Sequence, residues 1–138
     1  MKILVRACLL GENCKYDGGN NYCPKVAAFL EGHQVIPVCP ELEAGLGCPR
    51  VPMEIVNGVL VNREGTVVDG KVRGAVEAIL ERIKSEDIDC AVLKSRSPTC
   101  GVRQVYDGTF TGTRIPGAGV LTQALQRAGI RVIDSEEV

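Results

Sequence analysis

The sequence predicts a three-layer α/β domain built on a mainly parallel sheet. Three observations carry this prediction. Short apolar runs alternate with segments of helical period along the chain. The run "IDCAVLKS" is apolar with little alternation, as befits a strand covered on both faces. In "KVRGAVEAILERIKSED", Val72, Val76, Ile79, Leu80 and Ile83 recur three or four residues apart, on one helical face. A chain of 138 residues is long enough for a substantial core, and residues 1–138 are expected to form one domain.

The elements follow in order. "KILVRAC" is a first strand ending at Cys8, and the polar loop "LLGENCKYDGGNNYC" follows it. Pro24 marks a helix start, and "KVAAFLEG" runs from there to a stop at Gly32. "HQVIPVC" is the second strand, ending at Cys39 and weakened by Pro37, which removes a ladder donor. "PELEAGLGCPRVPMEI" reads as a proline- and glycine-rich loop, and "GVLVNREGTVVDG" as a hairpin turning at Arg63 to Gly65. After the long helix and the strand "IDCAVLKS", the stretch "RSPTCGVRQVYDGTFTGTRIPG" reads as a long loop. "AGVLTQALQRAG" is then a helix and "IRVIDS" a last strand. The pattern is Rossmann-like with a small hairpin insertion. Right-handed crossovers bring the strand ends to one edge, and ligands of such sheets bind beyond the carboxyl ends.

Composition narrows the function. Sixteen Lys and Arg against seventeen Asp and Glu leave a charge of -1, so there is no electrostatic case for nucleic acid or a membrane surface. Tryptophan is absent and aromatics make up 4%, which disfavours a base-stacking platform; a small neutral or weakly polar substrate is expected. No apolar run approaches the ~20 residues that span a bilayer. Arg6 and Glu12 interrupt any signal-peptide core, and a cytoplasmic protein is expected. Seven cysteines are an odd number in a chain rich in ordinary core residues, unlike a small secreted disulfide scaffold. In a reducing compartment they are buried thiols, a reactive thiol or metal ligands.

Cys8 and Cys39 stand at or just past two strand ends, and Cys100, in "SRSPTCG", lies in the loop after a third. Thiols far apart in sequence thus converge at one edge without a local motif. Cys-x-x-Cys is absent, and the single histidine, His33, has no partner for a zinc pair and reads as a turn residue. Cys90 to Arg96 matches the cysteine–arginine spacing of thiol phosphatases. Its intervening residues look like strand and contain no glycine, so Cys90 reads as core. Cys23 is a core thiol or lies near a helix start, Cys48 in "GLGCPR" touches a site through its loop or is inert, and Cys14 shares a loop with Cys8.

Glu41, two residues after Cys39, either points into the same cavity or is a solvent residue at a helix start. Within a cavity it moves protons if partial burial raises its pKa toward neutrality. Ser97 donates to a developing anion or simply starts a turn before Pro98. The N–H groups at the helix start in "IPGAGVLTQAL" hold an anionic or carbonyl group, or are merely capped. Tyr16–Gly18 and Tyr106–Gly108 both spell Tyr-Asp-Gly, marking two turns or two walls of one pocket.

The blocks "ACLLGENCKYDGGNN", "VIPVCPELEAGLGCPR", "VLKSRSPTCG", "YDGTFTG" and "GAGVLTQAL" resemble, in order and over nearly the whole chain, a small prokaryotic family of formerly unknown function that includes the 2-thiouracil desulfidases. The resemblance implies an α/β enzyme with a 4Fe-4S cluster held by Cys8, Cys39 and Cys100, one iron lacking a protein ligand. It implies Glu41 as acid/base and Ser97 beside the cluster. Cys14 also falls in a family block, and Cys48 stands where a threonine is more usual. The implied reaction is hydrolytic, non-redox desulfuration of a thiouracil-like thioamide, releasing sulfide. The implied partners are a small sulfur-containing substrate and the cluster-assembly machinery. A cluster or sulfur carrier and a zinc-bound structural module are the competing readings.

Overall fold

The computed structural model describes all of residues 1–138. Along the chain it runs β1 (Lys2–Arg6), α1 (Pro24–Leu30), β2 (Gln34–Val38), α2 (Pro40–Glu43), β3 (Met53–Val56), β4 (Val59–Asn62), α3 (Asp69–Ile83), β5 (Cys90–Leu93), β6 (Gln104–Tyr106), β7 (Arg114–Pro116), α4 (Val120–Arg127) and β8 (Arg131–Asp134). Four strands form an all-parallel sheet in the order β2-β1-β5-β8. β1 is interior because Ile3, Leu4 and Val5 are apolar in succession, and all three are fully buried. Successive residues feed opposite layers. Ile3, Val5, Cys90 and Val92 pack against Val26 and Leu30 of α1. Leu4, Val38, Ala91 and Leu93 pack with Val72, Val76 and Ile79 of α3 and with Leu121 and Leu125 of α4. Each such aliphatic side chain contributes about 1.5–3 kcal/mol on burial. Cys90 is a core residue, as its sequence context predicts. Pro37 is tolerated because β2 lies at a sheet edge.

Several boundaries differ from the sequence reading, each for a local reason. β1 stops at Arg6, and Ala7–Leu10 form a 3-10 turn closed by left-handed Gly11, so Cys8 lies within a turn. β2 stops at Val38 because Pro40 is pre-set for the first turn of α2, leaving Cys39 as its cap. The main hairpin is β3–β4, and it turns at Asn57-Gly58 with φ values of 51 and 79. Asn-Gly is the sequence most suited to that mirror-image turn. At Arg63–Gly65 the chain closes only a single bridge, Val61 to Val67. The long loop after β5 contains a second antiparallel ribbon, β6–β7. No helix is long and apolar enough to cross a membrane.

Candidate active site at the carboxyl edge of the sheet

Parallel pairing sets Arg6, the last residue of β1, opposite Val38, the last of β2. Ala7–Cys8 and Cys39 therefore leave the sheet together. On the other flank Val5 pairs with Val92, and the chain beyond β5 runs into Ser97–Gly101. It turns at Arg96, whose φ of 64 is unusual for a side chain of that size. Ser97 Oγ then accepts the backbone N–H groups of Thr99 and Cys100, each at 3.2 Å.

Helix α4 grips this segment. The N–H of Val120 bonds Pro98 O at 3.1 Å, those of Leu121 and Thr122 bond Thr99 O at 2.8 and 3.3 Å, and Thr122 Oγ1 donates to Cys100 O at 3.0 Å. The donors at this helix start are thus consumed by the loop that carries Cys100. Of the two readings of this helix start, the structure shows the capped one: its N–H groups hold the loop rather than standing free for a ligand. Gly119 permits the approach, since a Cβ there would meet Thr99 C at 2.3 Å and Cys100 N at 2.6 Å.

Arg6 and Glu41 are buried at 4% and 3% exposure, and Thr99 at 0%. Arg6 Nη2 lies 2.6 Å from Glu41 Oε2. Its Nη1 donates to Thr99 Oγ1 at 3.0 Å and to Cys100 Sγ at 3.1 Å. Thr99 Oγ1 donates to Glu41 Oε1 at 2.6 Å, which leaves it only acceptor capacity toward Ser97 Oγ at 2.9 Å. The hydroxyl chain is therefore directed from Ser97 through Thr99 to Glu41. Arg50 stands 3.9 Å from Glu41 Oε2.

Burial alone would raise the pKa of Glu41. The charge of Arg6, the Thr99 hydrogen bond and Arg50 together outweigh it and hold the carboxyl below the ordinary glutamate range. This corrects the expectation of a carboxyl raised toward neutrality. Glu41 is here an anion and a hydrogen-bond acceptor.

All seven cysteines are free thiols. Cys8, Cys14 and Cys39 pack with Ala7 in one small buried cluster, while Cys100 is fully buried beside Arg6. Cys39 Sγ donates to Glu41 Oε2 at 3.7 Å, and Cys8 Sγ accepts from Asn21 Nδ2 at 3.4 Å. Burial, then the neighbouring Cys39 and Cys8, push the Cys14 thiol up to about 12. Burial also raises Cys39 and Cys100, against the pull of Arg6.

Such thiols are poor free nucleophiles, but a metal displaces their protons. No three His, Cys, Asp or Glu side chains close on a single-ion site, and His33 is remote, bound through Nδ1 to the amino terminus at 2.9 Å. A soft group of several atoms suits this set of donors better than one hard cation. Cys23 occupies the N-cap position of α1 without a side-chain bond, and Cys48 Sγ lies 3.1 and 3.0 Å from the carbonyl oxygens of Asn13 and Lys15, donating its one S–H between them and fastening the loop of Cys14.

A cavity of about 500 Å³ opens in front of these groups. Cys8, Glu41 and Ser97 line it, whereas Cys39 and Cys100 lie outside its lining. Tyr16 and Tyr106 both line it, so the two Tyr-Asp-Gly turns wall one pocket. Both are also side-chain turns, with Asp17 accepting from Gly19 N and Asp107 from Thr109 N. Lys15, Arg50, Arg63, Lys94 and Arg96 join Arg6 on the wall, against only Glu41 and Glu54. Glu54 is itself occupied by the N–H groups of Gly108 and Phe110. A net charge near zero thus conceals a cavity wall rich in cations, of which Lys15 pairs with Asp17 and Arg96 with Glu136. A groove of about 580 Å³ at the amino edge, around Leu80, Ile88 and Ile130, holds none of these groups.

Sequence reasoning missed Arg6, Thr99 and Arg50 as site residues. Arg6 did carry a signal: a lone charge ending an otherwise apolar central strand, two residues before Cys8. Thr99 sits within the Ser97–Pro98 turn with nothing in the sequence to set it apart, and Arg50 had no signal.

Comparison with known proteins supports the fold and identifies the family. The uncharacterised Bacillus subtilis (strain 168) protein YbbK is 33% identical over 146 residues, covering 99% of this chain and 97% of the relative. A solved structure of the 4Fe-4S-dependent thiouracil desulfidase TudS superposes with a TM-score of 0.91 at 34% identity, covering 99% of this chain and 92% of that one. The model of the 2-thiouracil desulfurase family matches residues 3–137. The chain belongs to the 2-thiouracil desulfurase family.

Proposed function

We propose that the protein is an iron–sulfur-dependent desulfidase that hydrolyses the carbon–sulfur bond of a thiouracil-like thioamide without net electron transfer. In this reading Cys8, Cys39 and Cys100 hold a 4Fe-4S cluster with one iron lacking a protein ligand, Glu41 is the acid/base and Ser97 meets the substrate. The observation that carries it is the packing of Cys8 with Cys39, and of Cys100 against Arg6, around a buried, paired carboxylate behind a cavity that Cys8 and Glu41 line. When bound, the cluster supplies a soft Lewis acid suited to a thiocarbonyl sulfur.

The chain's own residues do the rest. Glu41, kept anionic by Arg6, is placed to accept a proton from a water in the cavity. Ser97, whose hydroxyl otherwise donates toward Thr99, turns to orient the substrate. The cationic wall favours the more electron-rich forms of the ring. Water supplies the oxygen that replaces sulfur, and sulfur leaves as sulfide, so the balance requires no oxidant or reductant. Seven unpaired cysteines fit the reducing cytoplasm, where cluster-assembly machinery operates.

The test is anaerobic reconstitution followed by iron and acid-labile sulfide analysis, with sulfide release from 2-thiouracil measured without reductant. Glu41→Gln is expected to keep its iron and to lose about 10²–10⁴-fold in turnover. Full turnover in that variant sinks its acid/base role, and a cluster-bearing wild type without turnover supports a carrier. Zinc at one per chain without labile sulfide overturns the cluster reading altogether.

A further inference from the structure

A guanidinium is all donor and no acceptor, so each N–H buried with it needs a partner. At Arg6, Nη2 meets Glu41, and Nη1 meets Thr99 and Cys100 Sγ. Nε is buried with no hydrogen-bond partner in the protein, and no other buried side-chain nitrogen or oxygen is left so. An unmade buried hydrogen bond costs about 1–3 kcal/mol. In a chain that satisfies every other such atom, this donor points to an acceptor supplied by a ligand. The surroundings narrow that acceptor, because Cys8, Cys39 and Cys100 all lie close enough to act on the Arg6 charge. While those thiols keep their protons, Glu41 alone balances Arg6. Once they ligate as thiolates, the buried site gains negative charge that the Arg6–Glu41 pair was not needed to offset.

We propose that Arg6 is a positioning residue for the bound iron–sulfur group: its guanidinium supplies hydrogen bonds and countercharge to the sulfur ligands, with Nε–H donated to a sulfur of that group. The proposal rests on the cluster reading above and adds to it a residue that is neither ligand nor acid/base. Arg6 thereby ties the Cys100 thiolate to the Glu41 carboxylate through one rigid planar fork, which a lysine cannot reproduce. Donors to cluster sulfur and nearby positive charge both favour the reduced state, so removing them lowers the reduction potential.

The experiment uses the full chain, reconstituted anaerobically, as wild type, Arg6→Lys, Glu41→Gln and the double variant Arg6→Gln/Glu41→Gln. Iron, labile sulfide and circular dichroism are measured first. A wild type that takes up no iron and sulfide overturns both this inference and the cluster reading. With the wild type loaded, the expected result is a downward shift of the midpoint potential, or faster loss of iron to a chelator, on removal of Arg6. The comparisons are Arg6→Lys against wild type and the double variant against Glu41→Gln. Parental potentials and parental iron retention in both comparisons overturn the role of Arg6 and leave the cluster reading standing. The double variant keeps the test usable if the single one misfolds, because it removes both buried charges together.

Discussion

Thr99 links Arg6, Glu41 and Ser97 through one hydroxyl, although that hydroxyl has no chemistry of its own. It donates to Glu41, accepts from Arg6 and from Ser97, and its carbonyl is held by the start of α4. Removing the hydroxyl leaves a charged pair with one partner fewer in a fully buried setting. Hydrogen bonds to charged groups contribute about 1.5–3 kcal/mol each, so Thr99→Val is expected to lose about that much stability in urea denaturation. It should also slow sulfide release, because Glu41 is no longer held in place and Ser97 loses its acceptor. Thr99→Ser keeps the hydroxyl on a less constrained side chain and should recover most of both losses. A valine variant with wild-type stability and turnover would show the network to be incidental. At this scale the sequence was a partial guide. It pointed to Glu41 by its place after Cys39, but the direction of its pKa shift depends on Arg6, a residue thirty-five positions away by number (41 − 6) whose proximity comes from the β1–β2 pairing.

Helices α1, α3 and α4 and the main strands were legible because their signals are local, whereas the four-residue α2 falls in a stretch that reads as a loop. The period of α3, the proline at the start of α1 and the unbroken apolar run of β5 each act within a few residues. The two ribbons were harder. β6 and β7 are only three residues each, and the β3–β4 turn lies at Asn57-Gly58, a turn signal that the reading of a hairpin at Arg63 to Gly65 passes over. The use of α4's free N–H groups was not legible at all, since their partner is a distant loop. That contact yields a prediction at the same scale. Gly119 has φ −71, an ordinary value for any residue, so its need for glycine is purely steric. Gly119→Ala drives a methyl into the backbone of Thr99 and Cys100, and overpacking of this kind costs about 1–3 kcal/mol. Lower stability together with reduced iron uptake is expected. Gly74→Ala provides the contrast, lying exposed inside α3 with open space around its Cβ position. It should stabilise the fold by about 0.5–1 kcal/mol and leave iron uptake alone. Equal behaviour of the two variants in thermal melts would remove the steric explanation.

Across the whole molecule, apolar packing and site chemistry occupy different regions. The two large cores fill the faces of the sheet, whereas Cys8, Cys14, Cys39, Arg6 and Glu41 gather beyond its carboxyl edge, with Cys100 at the boundary as a member of the larger core. The segments that carry the proposed ligands leave three neighbouring strands, β2, β1 and β5, and meet through the Cys8–Cys14–Cys39 cluster and the Arg6–Glu41–Thr99 contacts, with Cys100 also anchored in the main core. A group bound to Cys8, Cys39 and Cys100 would cross-link those segments, and binding to the folded state alone raises stability by mass action. Chelating the iron from reconstituted protein should therefore lower the melting temperature. Amide exchange should locate the change. Faster exchange is expected in residues 7–15, 39–50 and 95–101, with little change in the interior of α3 or in β1 and β5, whose side chains are buried on both faces of the sheet. Uniform acceleration across the sheet would mean that the ligands stabilise the fold globally, and no change in those three segments would mean that the iron sits elsewhere.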